Sequence, residues 1–206
     1  YILKIFSENF LIWIHDFNWI CFKSTIYNTN KNNVCKKQCK LCFVMRLTYI
    51  PIFYLSKKVF ISNFSHKMYK KLTIFKNLLD NNYYICPNPA IDFKSLSNIS
   101  VLNYPIKTIN FGYIGSISEE KGIHILIKAF KRLKATEANI KIELYIAGSI
   151  SSNYSSLLKE ENSSSEIHFL GRMKRDDFYK KVNCVVIPSL IPDTYPGVGT
   201  EALVTG

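Results

Sequence analysis

Apolar runs of strand length alternate with stretches in which apolar residues recur every three or four positions, most clearly in the second half of the chain. Such a pattern predicts strands and amphipathic helices in turn. The predicted strands are 109–115, 141–147, 167–170 and 184–188, and the predicted helices are 122–135, 149–156 and 174–182. This order favours an α/β fold with a doubly wound, Rossmann-like parallel sheet over a bundle or a sandwich.

The first half is less regular but of the same kind. Its predicted strands are 10–14 and 58–61, its predicted helices are 41–55 and 65–75, and the run 83–86 leads into a turn-rich segment. The polar residues 93–107 predict an interdomain linker. We therefore expect two Rossmann-like doubly wound parallel-sheet domains, 1–95 and 96–206.

The charge of the chain is unevenly placed. The net charge is +12 over 206 residues, of which 48% are hydrophobic. Residues 1–100 hold 14 Lys and Arg against 4 Asp and Glu, whereas residues 101–206 hold 13 against 11. A basic face suits anionic lipid, a phosphate-bearing acceptor or nucleic acid, unless the lysine-rich surface only maintains solubility. The scattered lysines and the lack of an aromatic-flanked basic motif argue against a nucleic-acid-binding module.

Neither a membrane span nor a secreted scaffold is predicted. No run reaches the ~18 apolar residues of a spanning helix, because His15, Asp16 and Asn18 interrupt the most apolar stretch. Six cysteines in a chain of this size do not resemble a secreted disulfide framework. A cytoplasmic protein is expected, with peripheral contact at the inner face of the membrane through its basic half.

The segment 187–206, IPSLIPDTYPGVGTEALVTG, carries the densest chemistry. Asp193 and Glu201 stand eight positions apart across a turn that contains Gly197 and Gly199. The glycines let backbone N–H groups approach a ligand where the next helix begins, and a helix start attracts phosphate. A purely structural interpretation is that Asp193 caps a turn and that Glu201 lies in the first turn of a helix, where the helix dipole stabilises its negative charge.

A second glycine-containing turn follows the predicted strand that ends at Gly115. A nucleotide diphosphate fits between Gly115 and the helix that begins near Gly122, with Lys121 supplying a positive charge. As an isolated feature, Lys121 is more readily interpreted as a solvated surface lysine.

Together, 112–122 and 187–206 resemble the retaining glycosyltransferases of the group 1 family (family 4), whose GT-B fold has two Rossmann-like domains and which use nucleotide-sugar donors. The resemblance implies that Asp193, where the family usually has Glu, contacts the donor sugar, and that Glu201 accepts hydrogen bonds from the ribose hydroxyls. The donor-binding positions that it implies at the two turns are Gly115, Ser116, Lys121, Gly197 and Val198. Ser116 stands where the family usually carries Arg, so leaving-group stabilisation would depend more on Lys121.

Two smaller matches extend the resemblance. Gly171 and Arg172 lie in a segment that resembles the one holding the nucleobase. His15 resembles the first-domain histidine that faces the transferred sugar, although without the resemblance a core histidine would be the simpler interpretation. Since the family pattern begins before Tyr1 and continues beyond Gly206, we expect a piece of a longer protein, with an incomplete first domain and no transfer activity of its own.

The resemblance also implies the chemistry. The acceptor attacks from the face that the leaving phosphate vacates, so positioning and phosphate stabilisation carry the barrier, and no cofactor or catalytic metal is required. By family analogy, the acceptor is a saccharide or a lipid-linked saccharide of cell-surface polysaccharide synthesis.

The cysteines suggest different chemistry. Cys35, Cys39 and Cys42 have the Cys-x3-Cys-x2-Cys spacing of radical S-adenosylmethionine enzymes, in which three thiolates hold a [4Fe–4S] cluster. The Rossmann-like pattern that follows opposes this interpretation. With Cys21 as a fourth thiol, a structural zinc site is the second interpretation, and free thiols in a loop are the third.

Overall fold

The computed structural model describes residues 11–21, 25–28, 33–47, 50–73, 76–79, 83–87, 108–136, 140–150, 154 and 164–205. Its contacts divide the chain into two compact units. The first comprises Tyr1–Pro89 and Ile191–Tyr195, and the second comprises Ala90–Leu190 and Pro196–Gly206. The expected boundary between 95 and 96 lies outside the described residues. The short segment 191–195 belongs to the first unit, which the sequence pattern did not indicate.

The first unit contains five strands and three α-helices among its described residues. In chain order these are β1 (Leu11–Ile14), β2 (Tyr27–Asn28), β3 (Asn33–Val34), α1 (Lys40–Met45), α2 (Ile50–Leu55), β4 (Lys57–Phe60), α3 (Asn63–Leu72), a 3-10 turn (Lys76–Leu79) and β5 (Tyr83–Ile85). A parallel sheet has the strand order β1-β4-β5, and β2 and β3 form a separate antiparallel pair.

The helices of the first unit differ from the predicted ones. The predicted helix 41–55 is wrong as a single element, since two short helices, α1 and α2, occupy it. Pro51 lies in the first turn of α2, where its missing N–H breaks no helical hydrogen bond. The helix predicted at 65–75 instead spans 63–72, because Ser62 caps its start by accepting a hydrogen bond from the Ser65 N–H at 3.0 Å.

The core of the first unit fixes the turn that follows β1. Ile12 and Ile14 point into the core, as the alternation along a strand requires. Tyr69 from α3 is fully buried against Phe60, and its hydroxyl donates to the Asp16 carbonyl at 2.6 Å. The backbone beside His15 is therefore anchored to α3.

The second unit is a four-stranded parallel sheet with helices. Its described elements are β6 (Thr108–Ile114), α4 (Ile123–Thr136), β7 (Lys141–Ala147), β8 (Ile167–Gly171), α5 (Arg175–Tyr179), β9 (Cys184–Val185) and α6 (Gly197–Thr205). The strand order is β8-β7-β6-β9, and every pairing is parallel. The expected α/β class with parallel sheets is confirmed.

Helices of the second unit pack against both faces of its sheet. One core cluster joins the apolar face of α4 to alternate residues of β6 and β7, such as Tyr113 and Leu144. Phe178 of α5 packs against the opposite face, where a Cβ on Gly112 would come within 2.7 Å of its ring. Because the helices cover the two faces of the sheet, the edge at the carboxyl ends of the strands is left open.

Some second-unit boundaries differ from the predicted ones. The helix predicted at 174–182 spans 175–179, and the strand predicted at 184–188 spans 184–185. The Asn183 side chain accepts a hydrogen bond from the Asn110 N–H at 2.5 Å, so the chain leaves α5 early and turns to join β6. Of the helix predicted at 149–156, residues 151–153 and 155–156 lie outside the described residues.

Candidate functional site

An open cleft of about 310 Å³ lies at the carboxyl ends of β6, β7 and β8. We call it the strand-end cleft. It is lined by Ile114, Gly115, Ser116, Ala147, Gly148, Ser149, Arg172, Met173 and Arg175. Parallel α/β sheets bind ligands at this edge, because the loops that leave neighbouring strands converge there.

Main chain forms the floor of the strand-end cleft. The Gly115 N–H donates to the Ala147 carbonyl at 3.0 Å, and the Gly148 N–H donates to the Gly171 carbonyl at 2.8 Å. The two loops touch so closely that a Cβ on Gly148 would lie 1.7 Å from the Gly115 carbonyl oxygen. The glycines therefore keep this part of the lining free of bulky side chains, and the hydrogen bonds between the loops fix its shape.

Three of the predicted donor-binding residues line this cleft. Gly115 and Ser116 follow β6, and Arg172 follows β8, whose last residue is Gly171. The Tyr113 hydroxyl donates to the Ser116 carbonyl at 2.7 Å, which fixes the orientation of that peptide group. The structure thus brings together residues that are 56 positions apart in the chain.

Lys121 lies in a different place from the cleft lining. It occupies the turn before α4, where its N–H donates to the Ser118 carbonyl at 3.2 Å. The same turn is held to the segment that follows β9, since the Leu190 N–H donates to the Glu120 carbonyl at 2.9 Å. Lys121 is partly buried there, and its role in donor binding stays a prediction.

Glu201 is a buried acid of the second unit, with 2% of its surface exposed. It lies on α6, the helix that begins with Gly197 and Val198. One carboxylate oxygen accepts a hydrogen bond from Arg175 Nη1, and the other accepts one from the Tyr179 hydroxyl at 2.8 Å. A charge buried to this degree requires such partners.

Tyr179 and Arg175 were missed by the sequence analysis. They lie on one face of α5, four positions apart, whereas Glu201 lies 22 and 26 positions further along. The sequence spacing of Arg175 and Tyr179 from Glu201 follows no local pattern, so it does not predict that the three side chains meet. Burial and the hydrogen bond to Glu201 raise the pKa of Tyr179, so its hydroxyl keeps its proton and remains a donor at neutral pH.

The two acids of the 187–206 segment belong to different units. Asp193 lies in the segment Ile191–Tyr195 of the first unit, and Glu201 lies in the second. Within the first unit, the Ser62 hydroxyl donates to the Thr194 carbonyl at 2.7 Å, and the Thr194 hydroxyl donates to the carbonyl of His15. The first unit thus holds the Asp193 segment beside the turn that carries His15.

His15 is exposed, so the interpretation as a core histidine is wrong. Its ring stacks on Trp13, with the ring centroids 6.1 Å apart. The side chain follows β1 at the carboxyl edge of the first sheet, as a ligand-facing residue of a parallel sheet would.

The four predicted metal ligands, Cys21, Cys35, Cys39 and Cys42, line one small cavity of about 10 Å³, which we call the cysteine pocket. The thiols of Cys21 and Cys42 lie 3.8 Å apart. The Cys42 N–H donates to the sulfur of Cys39, which lowers the pKa of the Cys39 thiol. Within the described ranges, no group of three or more His, Cys, Asp or Glu is arranged to hold a metal ion. The structural zinc is therefore not supported.

The iron–sulfur interpretation of the same cysteines also lacks support. A radical S-adenosylmethionine enzyme needs three thiolates around one cluster, and the residues that the structure describes contain no such group.

A membrane-spanning helix was not expected from the sequence. No helix in the described part of the chain is long and apolar enough to cross a membrane.

The second unit matches a known family. Residues 108–206 match the family described as "Glycosyl transferases group 1". Over 85 residues, the chain is 32% identical to the uncharacterized glycosyltransferase MJ1059 of Methanocaldococcus jannaschii, a match that covers 39% of this chain and 21% of that protein. Residues 108–206 are therefore similar to the group 1 glycosyltransferases over just under half of the chain.

Solved structures of low sequence identity share the fold. The pneumococcal O-GlcNAc transferase GtfA, in complex with UDP and GlcNAc, has a TM-score of 0.63 at 16% identity, over 95% of this chain and 35% of that chain. Anabaena Alr3699/HepE, in complex with UDP and glucose, has a TM-score of 0.60 at 18% identity, over 78% of this chain and 46% of that chain. The chain therefore shares the GT-B fold of these structures, and it spans less than half the length of each of those two proteins.

Proposed function

We propose that this chain carries the donor site of a nucleotide-sugar glycosyltransferase. The observation that carries the proposal is the strand-end cleft, which lies at the carboxyl ends of three neighbouring parallel strands, with a main-chain floor and two arginines in its lining. Such a site suits a nucleotide diphosphate, because guanidinium groups bind phosphate oxygens and glycine-containing loops allow the phosphates to come close to the backbone. UDP-sugars are the first donors to test, since GtfA and HepE were each solved with UDP.

The nucleotide end of the donor is assigned to the second unit. Gly115 and Ser116 approach the diphosphate, and Gly171 and Arg172 approach the base. Glu201, on the helix that Gly197 and Val198 begin, accepts from the ribose hydroxyls. A carboxylate has about four lone-pair sites, so Glu201 has capacity for ribose beside its two protein donors. Lys121 is assigned to the phosphate from the adjoining turn.

His15 and Asp193 remain the predicted contacts of the transferred sugar, on the strength of the family resemblance alone. Both lie in the first unit, where the Thr194 hydroxyl holds the His15 backbone. Asp193 is one methylene shorter than the Glu usual in the family, which would change the sugar hydroxyls that it reaches.

The proposed reaction retains the configuration of the transferred sugar. The acceptor hydroxyl attacks the face that the leaving phosphate vacates, so alignment and phosphate stabilisation supply most of the rate enhancement. The chemistry requires no cofactor, and structural zinc forms no part of the proposal. The proton NMR coupling constant of the product's anomeric proton distinguishes retention from inversion.

Donor use by the full-length protein tests the site assignment. Glu201→Ala and Lys121→Ala should each lower kcat/KM for the nucleotide sugar by on the order of 30- to 1,000-fold, equivalent to about 2–4 kcal/mol. A coupled assay of released nucleoside diphosphate, run over a panel of UDP-, GDP- and ADP-sugars, measures this loss.

Arg132→Ala is the matched control, because Arg132 is exposed on α4 and lies outside the cleft lining. It should leave kcat/KM unchanged. Wild-type turnover in both the Glu201 and Lys121 variants would refute the assignment of these residues.

The acceptor is proposed to be a saccharide or a lipid-linked saccharide at an anionic membrane surface. The excess of basic residues in 1–100 supports this, at about 1 kcal/mol for each basic residue that reaches the lipid surface. Co-sedimentation with liposomes should therefore increase with the fraction of anionic lipid and decrease with salt. Equal binding to neutral and anionic vesicles would contradict this part of the proposal.

A further inference from the structure

The strand-end cleft needs positive charge if it holds a nucleotide diphosphate. Its lining in the described structure consists mostly of glycine, serine and apolar residues, and its charged members are Arg172 and Arg175. Ser116, which follows β6, carries no charge. Lys121 lies in the turn before α4, outside the lining. Since Arg172 is assigned to the base, Arg175 is the cation of the described lining that is left for the diphosphate.

Arg175 differs from Arg172 in being anchored. Its Nη1 donates to Glu201, which is 2% exposed, while 64% of the Arg175 side chain is exposed. The guanidinium thus extends from a buried carboxylate to an open cleft. Since a guanidinium has five N–H donors in a planar fork, one contact with Glu201 leaves donors for a second anion.

Tyr179 makes this anchor rigid. Its hydroxyl holds the second oxygen of Glu201 at 2.8 Å, and Tyr179 itself is 3% exposed. With both oxygens held from α5, the carboxylate has a fixed orientation, and the Arg175 guanidinium that it binds is fixed with it. A cation held in place before the ligand arrives stabilises developing charge without reorganisation.

We propose that Arg175 binds the donor diphosphate and stabilises the leaving nucleoside diphosphate, with Glu201 and Tyr179 as its positioning residues. The inference rests on the proposed function. In the transfer, the bond between the anomeric carbon and the phosphate oxygen breaks, and its electron pair goes to that oxygen. The acceptor oxygen forms the new bond to the anomeric carbon, and its proton passes to the leaving phosphate. Arg175 offsets the negative charge that develops on the phosphate.

Calorimetric titration of the full-length protein with UDP, UMP and uridine tests this role. Arg175→Gln should weaken UDP binding by about 10- to 100-fold, and uridine binding should change by less than about 2-fold. Arg175→Lys should recover part of the loss, because it restores charge without the planar fork. Arg132→Gln, a change at a surface arginine on α4, should leave all three affinities unchanged.

A purely structural role gives a different pattern. If Arg175 only holds Glu201 in place, Arg175→Gln and Glu201→Gln would weaken UDP and uridine to the same extent, and the inference would be overturned. Equal UDP affinity in wild type and Arg175→Gln would overturn it as well. A wild-type protein that binds none of UDP, GDP and ADP would instead refute the proposed function. If GDP or ADP is preferred, the same series is run with that nucleotide, its monophosphate and its nucleoside.

Discussion

The cysteine pocket of the first unit and the strand-end cleft of the second invite comparison, because their residue types suggest opposite roles. The pocket gathers four thiols, yet it encloses only about 10 Å³. The cleft is lined largely by glycine, serine and apolar residues, yet it encloses about 310 Å³ and includes Arg175, which pairs with the buried Glu201.

The two regions differ more clearly in the volume that they enclose and in how their side chains are held than in the types of residue that line them. In the pocket, Cys21 and Cys42 lie among the buried residues of the first core, and the thiols pack as apolar groups. In the cleft, the loops that leave neighbouring strands meet through their glycines, and the space beside them stays open. The following predictions test that contrast, beginning with the largest expected effect.

Gly148→Ala should cause the largest loss. Its Cβ would lie 1.7 Å from the Gly115 carbonyl oxygen, and Gly148 has a φ of +146°, a conformation that other residues rarely adopt. We expect the free energy of unfolding of the full-length protein to fall by about 3–5 kcal/mol, measured by urea denaturation.

Gly171→Ala is the matched control for that substitution. Gly171 has a φ of +66°, but a Cβ there meets nothing within 4 Å. The variant should therefore lose only about 1–2 kcal/mol, the cost of the left-handed conformation alone. Equal losses in the two variants would mean that the close approach of the two loops contributes nothing.

Tyr179→Phe should have an intermediate effect. The variant keeps the buried ring but removes the hydrogen bond to Glu201, which leaves one oxygen of a buried carboxylate without that donor. The expected loss in unfolding free energy is about 1–3 kcal/mol. Tyr145→Phe, which removes a hydroxyl from a partly buried position on β7, should lose less.

Cys39→Ser should have the smallest effect. Cys39 is exposed and caps α1 by accepting the Cys42 N–H, a contact that a serine hydroxyl makes well. Its unfolding free energy should change by less than about 0.5 kcal/mol. Cys42→Ser, at a buried position, should lose about 1–2 kcal/mol.

Metal analysis of the purified protein completes the comparison. We expect well below one zinc per chain by inductively coupled plasma mass spectrometry, and no change in unfolding after treatment with a chelator. One tightly bound zinc per chain would contradict this comparison, because the cysteine pocket would then be a metal site.

Much of the second unit could be predicted from its sequence. The alternation of apolar runs with helical spacing located β6, α4 and β7 almost to the residue, because each buries a regular apolar face. Of the residues that line the cleft, Gly115, Ser116 and Arg172 were among those singled out from the sequence, and their role in donor binding stays a prediction. The Arg175–Glu201 contact was not predicted, since it joins α5 to α6 across 26 positions and leaves no local pattern.

The first unit was harder for a physical reason. Its helices α1 and α2 are each six residues long, too short to show a helical period, and the pair β2 and β3 has two residues in each strand. The return of segment 191–195 to the first unit depends on polar contacts of Ser62 and Thr194 that no apolar pattern records.

The main-chain floor of the strand-end cleft limits what mutagenesis can reveal there. The peptide groups at Ser116, Gly148 and Ser149 remain whatever side chain is substituted, so an alanine scan alters side chains and strain but leaves the peptide groups in place. Amide-to-ester replacement by semisynthesis would remove single N–H donors, and backbone amide shifts in NMR titrations would report their contacts. Side-chain scanning alone would therefore not detect any contribution that the peptide groups make to binding.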